Sequence, residues 1–208
     1  MFILNPETIE TEHIMSLPLS NTTADALNWD EAMSLIRRLY RDQNYTISLL
    51  IAAGCLTGLR ISDILTLRYC DLFSEELEII EQKTRKHRTI RINRDLQDHA
   101  HKCFKALHLT DPTRKAFVSR KKTVYSIQRV NVIFKILKCR YGLKVAHFST
   151  HSLRKTFGRR VVEMAGPNAE TALIKLSDIF QHSSVKITRI YLGLRKEELL
   201  ETYDMLEM

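Results

Sequence analysis

The feature that most constrains this chain is the apolar run from Ile47 to Leu59, interrupted only by Ser48, Gly54, Thr57 and Gly58. About a dozen residues are too few to cross a bilayer, which takes about 20. The run therefore belongs inside a folded domain, as a buried core helix. The chain has 208 residues, enough for one ordinary domain or one domain with a small appendage. At 44% apolar and 27% charged it cannot be wholly disordered. Six Gly and four Pro are too few for a collagen-like chain, a Pro-rich linker or a turn-dense β-sandwich. With many Leu, Ile, Lys and Glu they favour a mostly helical domain.

Periodicity supplies the neighbours of that helix. Residues 1–28 are polar, acidic and aperiodic and read as an extension or linker; the domain is expected over 29–208. Asn28 or Asp30 can cap a first helix from Trp29, with Ala32, Leu35, Ile36, Leu39 and Tyr40 as its apolar stripe. The central helix is expected from about Tyr45 to Ala53, ended by Gly54, Thr57 and Gly58, with helical spacing restarting over Ile61, Ile64, Leu65 and Leu67. The period then changes. Glu76–Glu81 and Arg88–Ile92 alternate as two short strands, joined by the basic segment Gln82–His87. Helical patterns follow at about 95–108, 123–141, 151–165 and 168–181, and an amphipathic tail lies at 196–208. The expected class is mainly α with a small antiparallel β-sheet, an α+β domain.

Charge narrows the partner. Residues 1–30 hold five acids and no Lys or Arg, so the remaining chain sets 32 basic residues against 19 acidic ones, a net +13. A body this basic suits a polyanion, nucleic acid above all. The densest part is residues 83–94, with six Lys or Arg and no acid. Such a hairpin fits a nucleic-acid backbone. Cys55, Cys70, Cys103 and Cys139 form no C-x-x-C pair and read as reduced thiols of a cytoplasmic protein. The start Met1–Leu4 lacks the pattern of a secretory signal, and no membrane partner is expected.

Four motifs carry chemistry. Thr57-Gly-Leu-Arg60 is followed three residues on by Asp63. An Arg at such a turn can grip a phosphate by two parallel hydrogen bonds, or simply pair with Asp63. His151-Ser-Leu-Arg154 places imidazole and guanidinium on one helix face. The basic hairpin holds Lys83, Arg85, Lys86 and Arg88. Finally, Tyr191 lies nine positions after His182, and a tyrosine hydroxyl among cationic donors can act as a nucleophile. Taken singly, each has an ordinary structural reading.

Together, and in this order, the motifs resemble the catalytic domain of the tyrosine site-specific recombinases, the phage integrase family. The resemblance runs from about Trp29 to Gly193. It implies that Tyr191 attacks a DNA phosphorus to form a 3′-phosphotyrosyl intermediate, and that Arg60 and Arg154 clamp the non-bridging oxygens. It further implies that His151 assists the tyrosine proton, His182 donates to the phosphate, and Lys83 protonates the leaving 5′-oxygen, with Lys86 its rival in the hairpin. Asp63 would orient Arg60. Arg85, Lys86, Arg88, Lys121, Lys122 and Lys155 are candidate contacts to double-stranded DNA. No cofactor is implied, because covalent attachment conserves the phosphodiester energy and needs no ATP, and no metal is expected, because the sequence shows no carboxylate cluster or His/Cys set suited to one. The resemblance implies a tetramer on DNA with the tail docking in trans; in the free protein the tail can equally fold back on its own domain, so a monomer is expected in solution. A type IB topoisomerase-like enzyme and a non-catalytic DNA-binding regulator or integrase remnant are the alternatives. Three features depart from the family pattern. Gln181 stands where members usually have Gly, predicting a different turn into His182. Lys155 stands where many have His. The usual N-terminal DNA-clamping domain is expected to be absent, with only 28 residues before Trp29.

Overall fold

The computed structural model describes residues 24–80, 82, 87–194 and Tyr203. The apolar run becomes α2 (Tyr45–Thr57), in which every residue from Ile47 to Cys55 is buried. A helix apolar on all sides needs neighbours on all sides. They are α1 (Trp29–Arg41), α5 (Arg94–Ala106) and α7 (Thr150–Ala165), all packed against it. Asn28 caps α1, its side-chain oxygen accepting the Asp30 N–H at 2.9 Å. Before the cap, Leu27 is buried and its N–H donates to Thr156 Oγ1 at 2.9 Å, so the packed body takes in the residues just ahead of Trp29.

Short elements α3 (Ile61–Ile64) and α4 (Tyr69–Phe73) lead to the hairpin β1 (Glu76–Ile80) and β2 (His87–Arg91). The strands pair antiparallel, from Glu76 opposite Arg91 to Ile80 opposite His87. α6 (Ile127–Tyr141) follows, then α7, α8 (Ala169–Phe180) and α9 (Val185–Leu192). The main core gathers around α2, and a second, smaller one gathers Leu173, Leu176, Phe180 and Leu192 between α8 and α9. None of the described helices is long and apolar enough to cross a membrane.

Several boundaries differ from the sequence expectation, each for a physical reason. α2 does not stop at Ala53. Gly54 continues it, because α7 crosses so closely there that an added Cβ would sit 2.5 Å from Leu153 Cδ1. Thr57 Oγ1 donates back to Ala53 O at 2.6 Å, and Gly58 ends the helix in the left-handed region. The helix expected over Ile61–Leu67 is one turn. The helix expected from residue 123 starts at Ile127, where Ser126 caps it by accepting the Arg129 N–H at 3.1 Å, while Val124 pairs with Val118 in a β-bridge. Helix α9 was not evident in the apolar pattern. The tail expected at 196–208 lies outside the described residues, Tyr203 excepted.

The Gly54 contact sets a test. Ala is favoured over Gly inside a helix by about 1 kcal/mol. Forcing a methyl into packed side chains costs about 1–3 kcal/mol. Gly54→Ala is therefore expected to lower stability by up to about 2 kcal/mol in guanidinium unfolding. A gain in stability would show that Leu153 yields readily.

Candidate active site

A helix leaves its last four carbonyls without partners inside the helix. At the end of α8 the chain satisfies all four. Gln181 adopts the left-handed conformation (φ +50°), so its N–H reaches Asp178 O and that of His182 reaches Ser177 O, both at 3.0 Å. The other two carbonyls take arginines. Arg88 Nη1 donates to Ile179 O at 2.6 Å. Phe180 O accepts from Arg60 Nη2 at 3.2 Å and Arg154 Nη2 at 2.9 Å. Arg154 Nη1 also reaches Gly58 O at 2.6 Å, and its guanidinium carbon lies 4.3 Å from the centre of the Phe180 ring. The two arginines sit about a hundred residues apart in sequence, yet share one oxygen.

The expected nucleophile lies beside them. Ser184 caps α9 by accepting the Ile187 N–H at 3.3 Å, and Tyr191 sits on its last turn. The half-buried tyrosine ring packs edge-on to Phe180 at 5.6 Å and to His182 at 5.2 Å between centroids. The Tyr191 hydroxyl is 3.5 Å from the His151 carbonyl oxygen. Burial pushes the Tyr191 hydroxyl up to about 12, while Arg154 and then Arg60 pull it down. His182 Nδ1 and the fully buried Thr188 Oγ1 are 3.0 Å apart. Burial, then Arg154 and Arg60, lower the His182 pKa below its ordinary value and so favour the uncharged ring.

His151 and Arg154 fall on one face of α7, as their spacing requires. Ser149 and Ser152 cap that helix reciprocally, and Thr150 N–H is tethered to Asn131 Oδ1 of α6 at 3.0 Å. His151 itself is exposed. Asp63 differs from its expected role. This buried carboxylate accepts the Gln82 N–H at 2.9 Å and the Ser62 hydroxyl at 3.3 Å through Oδ1, so it holds the neck of the hairpin. Arg88, expected at the DNA backbone, turns a guanidinium nitrogen inward to α8. Lys155, expected there too, is buried and has its ammonium over the Tyr191 ring. Lys121 and Lys122 are exposed at a tight turn closed by Ser119 N–H to Thr123 O at 2.7 Å. Lys83, Arg85 and Lys86 lie outside the described residues. Sequence reasoning missed Phe180, the shared anchor, and the role of Thr188. The latter had a signal in its spacing, six positions after His182 and three before Tyr191.

Two guanidinium groups on a common oxygen, with an imidazole and a tyrosine against the same aromatic ring, gather cationic donors and a hydroxyl in one place, an arrangement able to hold an anion. The fold that holds them is that of the tyrosine recombinase catalytic domains. Residues 25–198 match the phage integrase family, and the chain belongs to that family. It is 28% identical over 174 residues to the probable integrase/recombinase YoeC of Bacillus subtilis (strain 168), covering 83% of this chain and 91% of that protein. Among solved structures it resembles the XerA recombinase, with a TM-score of 0.68 at 21% identity, over 91% of this chain and 68% of that one. It also resembles the XerH site-specific recombinase bound to its palindromic difH substrate after cleavage, with a TM-score of 0.62 at 18% identity, over 95% of this chain and 58% of that one.

Gln181 offers a test of the turn that shapes the site. A left-handed non-glycine residue costs about 1–2 kcal/mol, whereas glycine in exchange loses about 0.5–1 kcal/mol of chain entropy. The Gln181 Oε1 is buried without a hydrogen-bond partner among the described residues. Gln181→Gly should therefore raise stability by about 0.5–1 kcal/mol in thermal or denaturant unfolding. A loss would mean that the glutamine side chain contributes more than its backbone costs.

Proposed function

We propose that this chain cuts and rejoins double-stranded DNA at specific sites through a covalent 3′-phosphotyrosyl intermediate. The observation that carries this reading is the pair of guanidinium forks, Arg60 and Arg154, seated on Phe180 O beside Tyr191. A guanidinium presents planar donors that match phosphate oxygens. Preorganised donors of this kind stabilise the charge that builds on those oxygens in the transition state.

The Tyr191 oxygen bonds to phosphorus as the bond from phosphorus to the 5′-oxygen breaks. A hydroxyl with a pKa of about 12 is almost wholly protonated at pH 7, so its proton must leave during the attack. His151, at the α7 start whose carbonyl the hydroxyl faces, is assigned to that proton. His182 is assigned a hydrogen bond to the phosphate. The leaving 5′-oxygen takes its proton from Lys83 of the hairpin. In the return step the 5′-hydroxyl of the exchanged strand attacks the phosphotyrosine and Tyr191 regains its proton. Bond energy passes from one phosphodiester to the next.

The net +13 beyond residue 30 supports DNA as the partner, and Lys121 and Lys122 are assigned to its backbone. Exchanging both strands of two duplexes takes four cleavages. One Tyr191 per chain then assigns a tetramer to the paired sites and a monomer to free solution.

Tyr191→Phe is expected to abolish the covalent adduct on a nicked suicide substrate while leaving DNA affinity nearly unchanged, since only a hydroxyl is removed. Adduct at the parental level would overturn the assignment. Two-site exchange without DNA relaxation separates a recombinase from a topoisomerase.

Thr188→Val keeps the shape of a fully buried side chain and removes the partner of His182 Nδ1. Stability should fall by about 1 kcal/mol, the scale of one hydrogen bond. Cleavage should fall about tenfold or more if the His182 ring must be held in place to donate to the phosphate. Unchanged cleavage would mean that the ring is oriented by Phe180 and Tyr191 alone.

A further inference from the structure

Lys155 is the residue whose structural position fits its sequence reading least. A basic residue next to Arg154 reads as a DNA contact, yet it is 8% exposed. Its Nζ lies over the Tyr191 ring, 5.3 Å from the centroid. Burying an ammonium is costly unless something favours the charge. Two features do so here. The ring face attracts a cation. The negative charge of Asp25, in the segment before α1, favours the charged form of the lysine. That segment is itself pinned across the start of α7, with Asp25 N–H to His147 O and His147 N–H to Asp25 Oδ2, both at 3.0 Å.

On α7, Arg159 opposes the ammonium; burial is the larger effect and brings Lys155 below its ordinary value. Around Tyr191 stand Arg154 and Arg60, the His182 ring at 5.2 Å, and the start of α7 at His151. When phosphate binds, the two arginines serve its oxygens. Lys155 is placed instead against the attacking ring.

We propose that Lys155 is a positioning residue for Tyr191: its buried ammonium, over the ring face, seats the ring and stabilises the phenolate that develops as the hydroxyl attacks. A cation over a ring is attracted modestly to a phenol and strongly to a phenolate, because the latter carries full charge in a site partly shielded from water. The contact therefore strengthens along the reaction, which is the requirement for raising the rate. This rests on the reading of Tyr191 as nucleophile.

The test has two arms on the full chain. In the first, a fluorinated, more acidic tyrosine is placed at position 191 and titrated by fluorine NMR without DNA. Lys155→Gln is expected to raise its midpoint by about one pH unit, equivalent to a tenfold change in equilibrium. Lys155→Arg should keep the parental midpoint. In the second, adduct formation on a nicked substrate is followed against pH with natural Tyr191. Lys155→Gln should be about tenfold slower at neutral pH, with DNA affinity and its salt dependence within twofold of parental. The deficit should shrink at alkaline pH, where the parental lysine loses its own proton. Asp25→Asn, which removes the charge that favours the ammonium, should move that shrinkage to lower pH and keeps the test open if the Lys155 variants fold poorly. An unchanged fluorine midpoint in folded Lys155→Gln overturns the proposal. So does weaker DNA binding with a salt slope reduced by about one, which marks a phosphate contact. A raised midpoint with no adduct in the parental protein supports the coupling and overturns the nucleophile reading instead.

Discussion

The candidate site depends on the last two carbonyls of α8. A helix C-terminus carries about half a negative charge and acceptors with no partner inside the helix. Here Ile179 O and Phe180 O draw in Arg88, Arg60 and Arg154 from three distant parts of the chain. Like charges so close repel one another. The shared acceptors offset that repulsion and fix the forks before any ligand arrives. A guanidinium has five donors, so a fork can be seated by a carbonyl and still address a phosphate. The left-handed turn at Gln181 makes this possible, because it satisfies the two preceding carbonyls with backbone N–H groups and leaves the last two facing the arginines.

The tyrosine is brought to the same place by packing. α7 bridges the two cores: Leu153 joins the main one, while Phe157 and Val161 pack on the second. At Gly158 an added Cβ would lie 2.6 Å from Leu192 Cδ2 and 3.0 Å from Phe180 Cζ. α7 thus approaches α8 and α9 at contact distance, one residue past the turn that holds Arg154. Phe180 then serves three purposes at once. Its carbonyl seats both arginines, its ring lies under Arg154, and the same ring packs in a T-shape with Tyr191.

Much of this was legible in the sequence. The apolar run found its place as the central helix because no other location could bury it. The hairpin followed from the switch to alternation at Glu76. The order of Arg60, His151, Arg154, His182 and Tyr191 pointed to the family because side-chain chemistry for phosphoryl transfer leaves few substitutes. What was not legible were effects of tertiary contact. Gly54 reads as a helix breaker in isolation and as a close-packing residue beside Leu153. Phe180 reads as an ordinary core aromatic, since its decisive group is a backbone carbonyl common to every residue. Lys155 and Arg88 read as surface cations because charge alone does not say which way a long side chain turns. Asp63 reads as a partner for Arg60 three residues away, whereas folding gave it the nearer backbone N–H of Gln82.

In the function proposed above, the arginines seated on α8 present a DNA phosphate to Tyr191. The most direct measurement is to trap the protein on a nicked suicide duplex, digest the adduct and map the attachment by mass spectrometry. One modified peptide is expected, with the 3′-phosphate end of the cut strand on Tyr191. Attachment at Tyr203, or cleavage without any covalent peptide, would contradict it.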